Sequence, residues 1–203
     1  FSEHPVEYLF QNLRSFGAFY GGFAAAFLVA VFFTRRKKLP LGQVADITSV
    51  VLPFGQMLGR WGCFFAGCCY GKPTDVAWAV TFTDPAANFN VGTPLNIPLH
   101  PTQLYESAAG LVIFLLLLIL EKRQGHFAGR TFWSFAFLYA VLRFIIEFYR
   151  GDDRGMVLSY LSTSQFISVV LAPISLFMLW YLSRPSQPME HDLARGPRKP
   201  RFV

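Results

Sequence analysis

The sequence predicts an all-α polytopic membrane protein, with about five transmembrane helices and a larger extracytoplasmic loop at 71–102. Three observations predict it. Hydrophobic residues make up 53% of the 203 and charged residues only 15%, where a soluble domain carries about 25% charge. Apolar runs near the length that crosses a bilayer, about 20 residues, recur along the chain. Lys and Arg gather beside alternate runs, which is how membrane helices are oriented. The chain starts at Phe1 rather than Met, which predicts a processed or truncated N-terminus, and no cleavable signal pattern is present in its first residues.

Five segments carry the spans: Gly17 to Thr34, Ile47 to Tyr70, Gln103 to Leu120, Thr131 to Tyr149 and Leu161 to Leu182. The second is interrupted by Pro53 and by glycines, and a broken helix at membrane depth is tolerated where it lines a cavity. Arg35-Arg36-Lys37-Lys38, then Lys122, Arg123 and Arg130, then Arg184, Arg195, Arg198, Lys199 and Arg201 fall on one side of this arrangement. The other side holds Arg14, Lys72, Arg150 and Arg154. Twelve against four places the basic side, with the C-terminus, in the cytoplasm. The net charge of +6 therefore reads as membrane orientation and not as nucleic-acid binding. Residues after Ser183 form a basic tail suited to anionic lipid. In the outer loop, Ala77 to Phe82 reads as a short strand before a turn at Asp84-Pro85.

Arg60, Arg143, Glu147 and Glu106 fall inside predicted spans. A charge at a helix centre costs about 2.5–3.5 kcal/mol to insert, so such residues face a bundle interior and suggest function. Tyr139, Arg143, Glu147 and Arg150 are spaced by four, four and three and share one helix face. Arg143 and Glu147 can pair directly. The plainer reading is an ion pair that pins packing; the functional one is a guanidinium held to meet an anion. Around Arg60 stand Gly55, Gly59, Gly62, Gly67 and Gly71, which suit either close helix packing or a pocket lined by backbone. Tyr20-Gly21-Gly22 is a weaker instance of the same pattern. His100-Pro-Thr-Gln-Leu-Tyr-Glu106 begins the third span, with Pro101 near the helix start and Thr102 as a plausible cap. A His, Gln103, Tyr105 and a Glu together suggest a polar pocket wall more than a plain interfacial helix start.

Cys63, Cys68 and Cys69 lack zinc-knuckle spacing and are not a C-x-x-C pair. Inert packing is the plain reading; a redox pair between Cys63 and Cys68 or Cys69 is the sharper one.

Gly59-Arg-Trp-Gly-Cys-Phe-Phe-Ala-Gly-Cys-Cys-Tyr-Gly71 resembles the signature of the prolipoprotein diacylglyceryl transferases, commonly G-R-x-G-N-F-x-N-x-E-x-x-G. His100 to Glu106 is similar to that family's H-P-[ST]-Q-L-Y-E. Tyr139 to Arg150 resembles its Y-x-x-x-R-x-x-x-E-x-x-R face, and Ser162-Thr-Ser-Gln165 the polar start of its last helix. The likeness covers roughly residues 15 to 183. It implies transfer of the diacylglyceryl group of phosphatidylglycerol to the lipobox cysteine of a prolipoprotein signal peptide, in the bacterial inner membrane, with no cofactor or metal. Residues 1–183 are then a transmembrane catalytic domain and 184–203 a basic cytoplasmic tail.

The resemblance implies roles. Arg60 and Arg143 would offset the charge of the leaving glycerol phosphate. Glu147 would orient Arg143 and Tyr139 would bond the head group, with His100 and Tyr20 near the reacting thiol. Gly21, Gly22, Cys63, Gly71, Gln103, Tyr105, Glu106 and Arg150 would line the substrate site. The sequence departs from the pattern where Tyr20 replaces the usual His before Gly-Gly, and Tyr is a poor base. It departs again where Cys63, Ala66 and Cys68 replace Asn, Asn and Glu. Only twenty residues precede Gly21, so a further helix and its outer arm are expected upstream. Two other classes compete. One is a non-catalytic descendant that binds phospholipid or lipoprotein precursors. The other is a thiol oxidoreductase, which the missing C-x-x-C disfavours.

Overall fold

The computed structural model describes residues 25–26, 28–122, 127–152, 156–157 and 161–184. Helix α1 covers residues 28–36. It is followed by α2 (Leu41–Phe65), β1 (Val80–Thr81), α3 (Pro85–Val91), β2 (Pro98–Leu99), α4 (Thr102–Glu121), α5 (Arg130–Glu147), β3 (Met156–Val157), β4 (Leu161–Ser162) and α6 (Thr163–Ser183). The protein is mostly helical. The third, fourth and fifth apolar segments become α4, α5 and α6 within two residues at each end.

The second segment departs from expectation. Helix α2 runs unbroken for 25 residues through Pro53 and ends at Phe65, short of Tyr70. The irregularity falls after the helix, where Gly67 has φ 71° and Cys69 φ 61°. Asp84-Pro85 opens a short helix instead of a plain turn. Asp84 accepts from the Ala86 amide, Pro85 takes the first helical position, and Gly92 closes the helix at φ 71°; each is a standard helix-end device. Thr102 is not a cap. Pro101 takes that position without a side-chain bond, and the Thr102 hydroxyl donates instead to the Cys69 carbonyl at 2.8 Å.

Helix α2 packs on α4, α5 packs on α6, and α5 also touches α2 and α4. Gly110 makes the first contact possible, because a Cβ there would lie 2.8 Å from the Pro53 carbonyl oxygen. Such small-residue approach is how helices associate where lipid supplies no hydrophobic drive. Helix α6 begins with a capping box: Ser162 Oγ accepts from the Gln165 amide at 3.2 Å, and Gln165 Oε1 accepts from the Ser162 amide at 3.1 Å.

The burial pattern reverses that of a soluble domain. Among the described residues the buried polar and charged side chains outnumber the buried apolar ones, fifteen to seven. Leu111, Val112, Leu115, Leu116, Ile119, Val169, Phe177 and Trp180 are exposed along α4 and α6. These two helices are long and apolar enough to cross a membrane. Such a continuous apolar exterior would be unstable in water.

The outer loop is tied down at one end of the bundle. Val80 pairs with Leu99 and Thr81 with Pro98, antiparallel. Gly71 bridges to Arg150 and Pro73 to Leu99. The segment after α2 is thereby stitched to the end of α5, directly over the polar side chains of α4.

Candidate functional site

Buried α4 residues Thr102, Gln103, Glu106, Ser107, Gly110, Ile113 and Leu117 recur at the three-and-four spacing of one helix face. Glu106 is the centre of the polar end. Its Oε2 lies 2.5 Å from Arg60 Nη2 of α2. Its Oε1 lies 2.5 Å from Arg150 Nη1 and 3.4 Å from Arg143 Nη1. Arg143 also meets Glu147 Oε2 at 2.7 Å one turn along α5 and donates to Ser164 Oγ of α6 at 3.0 Å. Arg150 binds Asp152 through two nitrogens, at 2.8 and 2.7 Å. Three guanidinium and three carboxylate groups thus neutralise one another at one end of the bundle.

Burial alone would lower the Arg150 pKa, but Asp152 and then Glu106 more than offset it and hold the guanidinium above its ordinary value. Arg150 is a permanent cation. Arg60 differs from its two companions in access. Its side chain is 19% exposed, against 8% for Arg143 and 3% for Arg150. Its other terminal nitrogen, Nη1, faces the sulfurs of Cys63 at 3.9 Å and Cys69 at 3.8 Å. Arg60 is the cation of the three that an arriving anion can reach.

Gln103 holds the turn after α2, donating through Nε2 to the Cys68 carbonyl at 2.7 Å, as Thr102 does at Cys69. The Gln103 Oε1 atom is buried without a partner among the described residues. Gly71 sits where the backbone is too crowded for a side chain: a Cβ would lie 2.6 Å from the His100 Cβ and 2.8 Å from the Tyr149 carbonyl oxygen. His100 Nδ1 lies 3.1 Å from the Tyr105 hydroxyl, which also accepts from Trp78 Nε1 at 2.7 Å. The His100, Tyr105 and Tyr149 rings pack together, with centroids 5.2 to 6.1 Å apart. His100 therefore belongs to an aromatic layer beside the arginine cluster, and its recorded partners are not the arginines.

Tyr139 lies on the other flank, lining a narrow cleft with Gln56, Glu106, Gly110, Leu142 and Arg143. The cleft offers about 10 Å³, the scale of a single water. Of the sequence-predicted residues, the structure joins Arg60, Arg143, Glu147, Glu106 and Arg150 directly, sets Tyr139 against them, places Cys63 at Arg60 and ties Gln103 to the turn after α2. Tyr20, Gly21 and Gly22 lie outside the described residues. Asp152, Ser164, Trp78 and Tyr149 were not anticipated. Asp152 had a signal in its place two residues after Arg150, and Ser164 one in the polar start of α6.

A lipid-compatible exterior around a buried arginine–carboxylate network defines a helical bundle built to hold charge beside apolar faces long enough to cross a membrane. The sequence profile described as "Prolipoprotein diacylglyceryl transferase" matches residues 2–181, and the chain belongs to that family. A Clostridium tetani protein named phosphatidylglycerol–prolipoprotein diacylglyceryl transferase is 40% identical over 164 residues, 80% of this chain and 61% of the relative. Proteins of the same name from Geobacter sulfurreducens and Pseudomonas fluorescens (strain SBW25) are 34% and 30% identical, covering 89% and 90% of this chain and 66% and 67% of their own lengths. The chain spans about two thirds or less of the length of these relatives.

Proposed function

We propose that this protein transfers the diacylglyceryl group of phosphatidylglycerol to the lipobox cysteine thiol of a prolipoprotein. The thiol sulfur bonds to the glyceryl carbon, the carbon–oxygen bond to phosphate breaks, glycerol phosphate leaves with the electron pair, and the thiol proton passes to the departing phosphate. The observation that carries this reading is the convergence of Arg60, Arg143 and Arg150 on the single buried Glu106. A leaving phosphate monoester is a developing dianion, and guanidinium groups fixed beforehand in a dry site stabilise such charge without reorganising. Arg60, the most accessible, meets the phosphate. Arg143 and Arg150 hold Glu106, and Glu106 aims Arg60. The cleft at Tyr139 is too small for a head group, so the donor enters on the Arg60 side.

The same reading sets the chain in the bacterial inner membrane as a five-span protein with a cytoplasmic C-terminus. Both substrates are lipid-borne and arrive laterally. Expression of the protein in a bacterium depleted of its own transferase tests this. Growth, with thioether lipid on a reporter lipoprotein, is the expected result. Good expression and an unmodified reporter, with donor and client lipoprotein taken from the parent organism, would instead indicate a binding descendant without catalysis.

A further inference from the structure

We propose that Cys63 and Cys68 are a redox-sensitive thiol pair that closes to a disulfide and thereby loosens the hold on Arg60. Helix α2 ends in a Schellman motif. Gly67 turns the chain at φ 71°. Its amide returns to the Phe64 carbonyl at 3.1 Å, and the Cys68 amide returns to the Cys63 carbonyl at 3.1 Å. The outer two residues of this motif characteristically touch as an apolar pair. Here both are cysteines. A disulfide needs two backbones that are already close, and the motif supplies that closeness. The Sγ atoms of Cys63, Cys68 and Cys69 lie within 4.8 Å of one another. No disulfide joins them, and each is half-buried, so a small reagent can reach them.

Cys69 belongs to the cluster and not to the bond. Its backbone is held at φ 61°, and its sulfur faces Arg60 at 3.8 Å and hydrogen-bonds Arg150. A bond between the neighbours Cys68 and Cys69 would have to form inside a turn whose two carbonyls are pinned by Gln103 and Thr102. Cys63 carries the attacking sulfur. Arg60 Nη1, 3.9 Å away, places a cation where the attacking thiolate carries its charge.

The oxidant is a low-molecular-weight disulfide. The Cys63 thiolate bonds to one of its sulfurs and expels the other as a thiolate, which takes the Cys68 proton. The Cys68 sulfur then bonds to Cys63 and expels the second thiolate, which takes up the proton that Cys63 had lost. The protein gives up two hydrogens and two electrons, and the reagent becomes two thiols. A disulfide sulfur carries no charge, and Cys63 turns toward Cys68. Arg60 Nη1 then keeps Cys69 and loses Cys63, which leaves it freer to meet an anion. That consequence rests on the transferase reading, in which Arg60 meets the phosphate; the disulfide itself does not. The same reading sets this end of the bundle outside the cytoplasm, where disulfides persist.

The test uses the protein in lipid nanodiscs, equilibrated with oxidised or reduced glutathione. The oxidised protein should lose the mass of two hydrogens and keep one thiol open to alkylation, which fragmentation should place at Cys69. Cys69→Ser should still form the bond, and Cys63→Ser and Cys68→Ser should not. An unchanged mass, or a bond between any other pair in the unaltered protein, overturns the proposal however the variants fold. Radiolabelled lipid transfer reads the consequence. Glycerol phosphate should inhibit the oxidised protein at roughly two- to fivefold lower concentration, the scale of one partly exposed charge contact, and reductant should reverse the shift. Equal inhibition of the two forms overturns the effect on Arg60. Absence of transfer by the reduced protein, with the Cys63–Cys68 bond formed on oxidation, would count against the transferase reading and uphold the thiol pair.

Discussion

Arg60 Nη2 and Glu106 Oε2 meet at 2.5 Å, joining α2 to α4 through the more accessible of the cluster's arginines and its most buried carboxylate. The second Glu106 oxygen takes Arg150 and Arg143. One carboxylate therefore closes a circuit among three segments that lie far apart in the sequence. Fixing that carboxylate fixes the position of the exposed face of Arg60.

Glu106→Gln should be the most destabilising single change in the cluster. It leaves Arg60, Arg143 and Arg150 facing one another with a neutral amide between them. Breaking a buried ion pair by removing one partner costs about 3–5 kcal/mol. Thermal unfolding in a fixed detergent should show a clear fall in midpoint, larger than for Asp152→Asn, whose side chain is 20% exposed. Equal midpoints for the two variants would contradict Glu106 as the hub.

Arg60→Ala should separate chemistry from stability. Loss of one preorganised donor to developing charge lowers turnover by about 10²–10³-fold. Because Arg60 is the least buried of the three, its midpoint should fall less than that of Glu106→Gln. Arg60→Lys should not restore transfer, since a single ammonium cannot face both Glu106 and a phosphate in the way a planar fork does. Radiolabelled lipid transfer to a lipobox peptide, measured beside the unfolding midpoint, checks both statements.

How much of this was legible beforehand depends on the range of each contact. The Arg143–Glu147 pair was readable because four residues on a helix is one turn. The limits of α4, α5 and α6 followed from the length of their apolar runs. The meeting of Arg60 with Glu106 across 46 positions was not readable, because periodicity says which face is polar and not which faces meet. Pro53 and the glycines suggested a broken α2, yet the helix continues through them and the reversal waits for Gly67. Gly55, Gly59 and Gly62 have no described neighbour within 4 Å of a Cβ, so a glycine cluster in sequence was a poor guide to which glycines pack. Gly67 and Gly71 of the same cluster do crowd their neighbours, and so does Gly110 outside it.

Gly110→Leu should pry α2 from α4. Even the first carbon of a side chain would lie 2.8 Å from the Pro53 carbonyl oxygen and 3.3 Å from the Met57 amide nitrogen, and backbone yields less readily than a side chain. Overpacking of this kind costs about 1–3 kcal/mol. Moving α4 also moves Glu106 one turn away, so transfer and thermal stability should fall together. Unchanged activity in Gly110→Leu would mean that the α2–α4 contact does not set the position of Glu106.

Asp46 offers the opposite case, stability without chemistry. From α2 its Oδ2 accepts the Gly129 amide at 2.7 Å and its Oδ1 the Phe132 amide at 2.9 Å, so it caps α5 although it belongs to another helix. Asp46→Ala leaves both amides without their acceptor and removes a negative charge from a helix N-terminus. Loss of such a cap costs about 0.5–2 kcal/mol. Asp46→Asn keeps one carbonyl oxygen to accept with and should fall between the two in unfolding midpoint. Asp46 sits at the start of α5 and the arginine cluster at its end, separated by an 18-residue helix about 27 Å long. Lipid transfer by the folded Asp46→Ala protein at low temperature should match the unaltered chain. A large drop there would show that the two ends of α5 are coupled, with its register against α2 setting the position of Arg143.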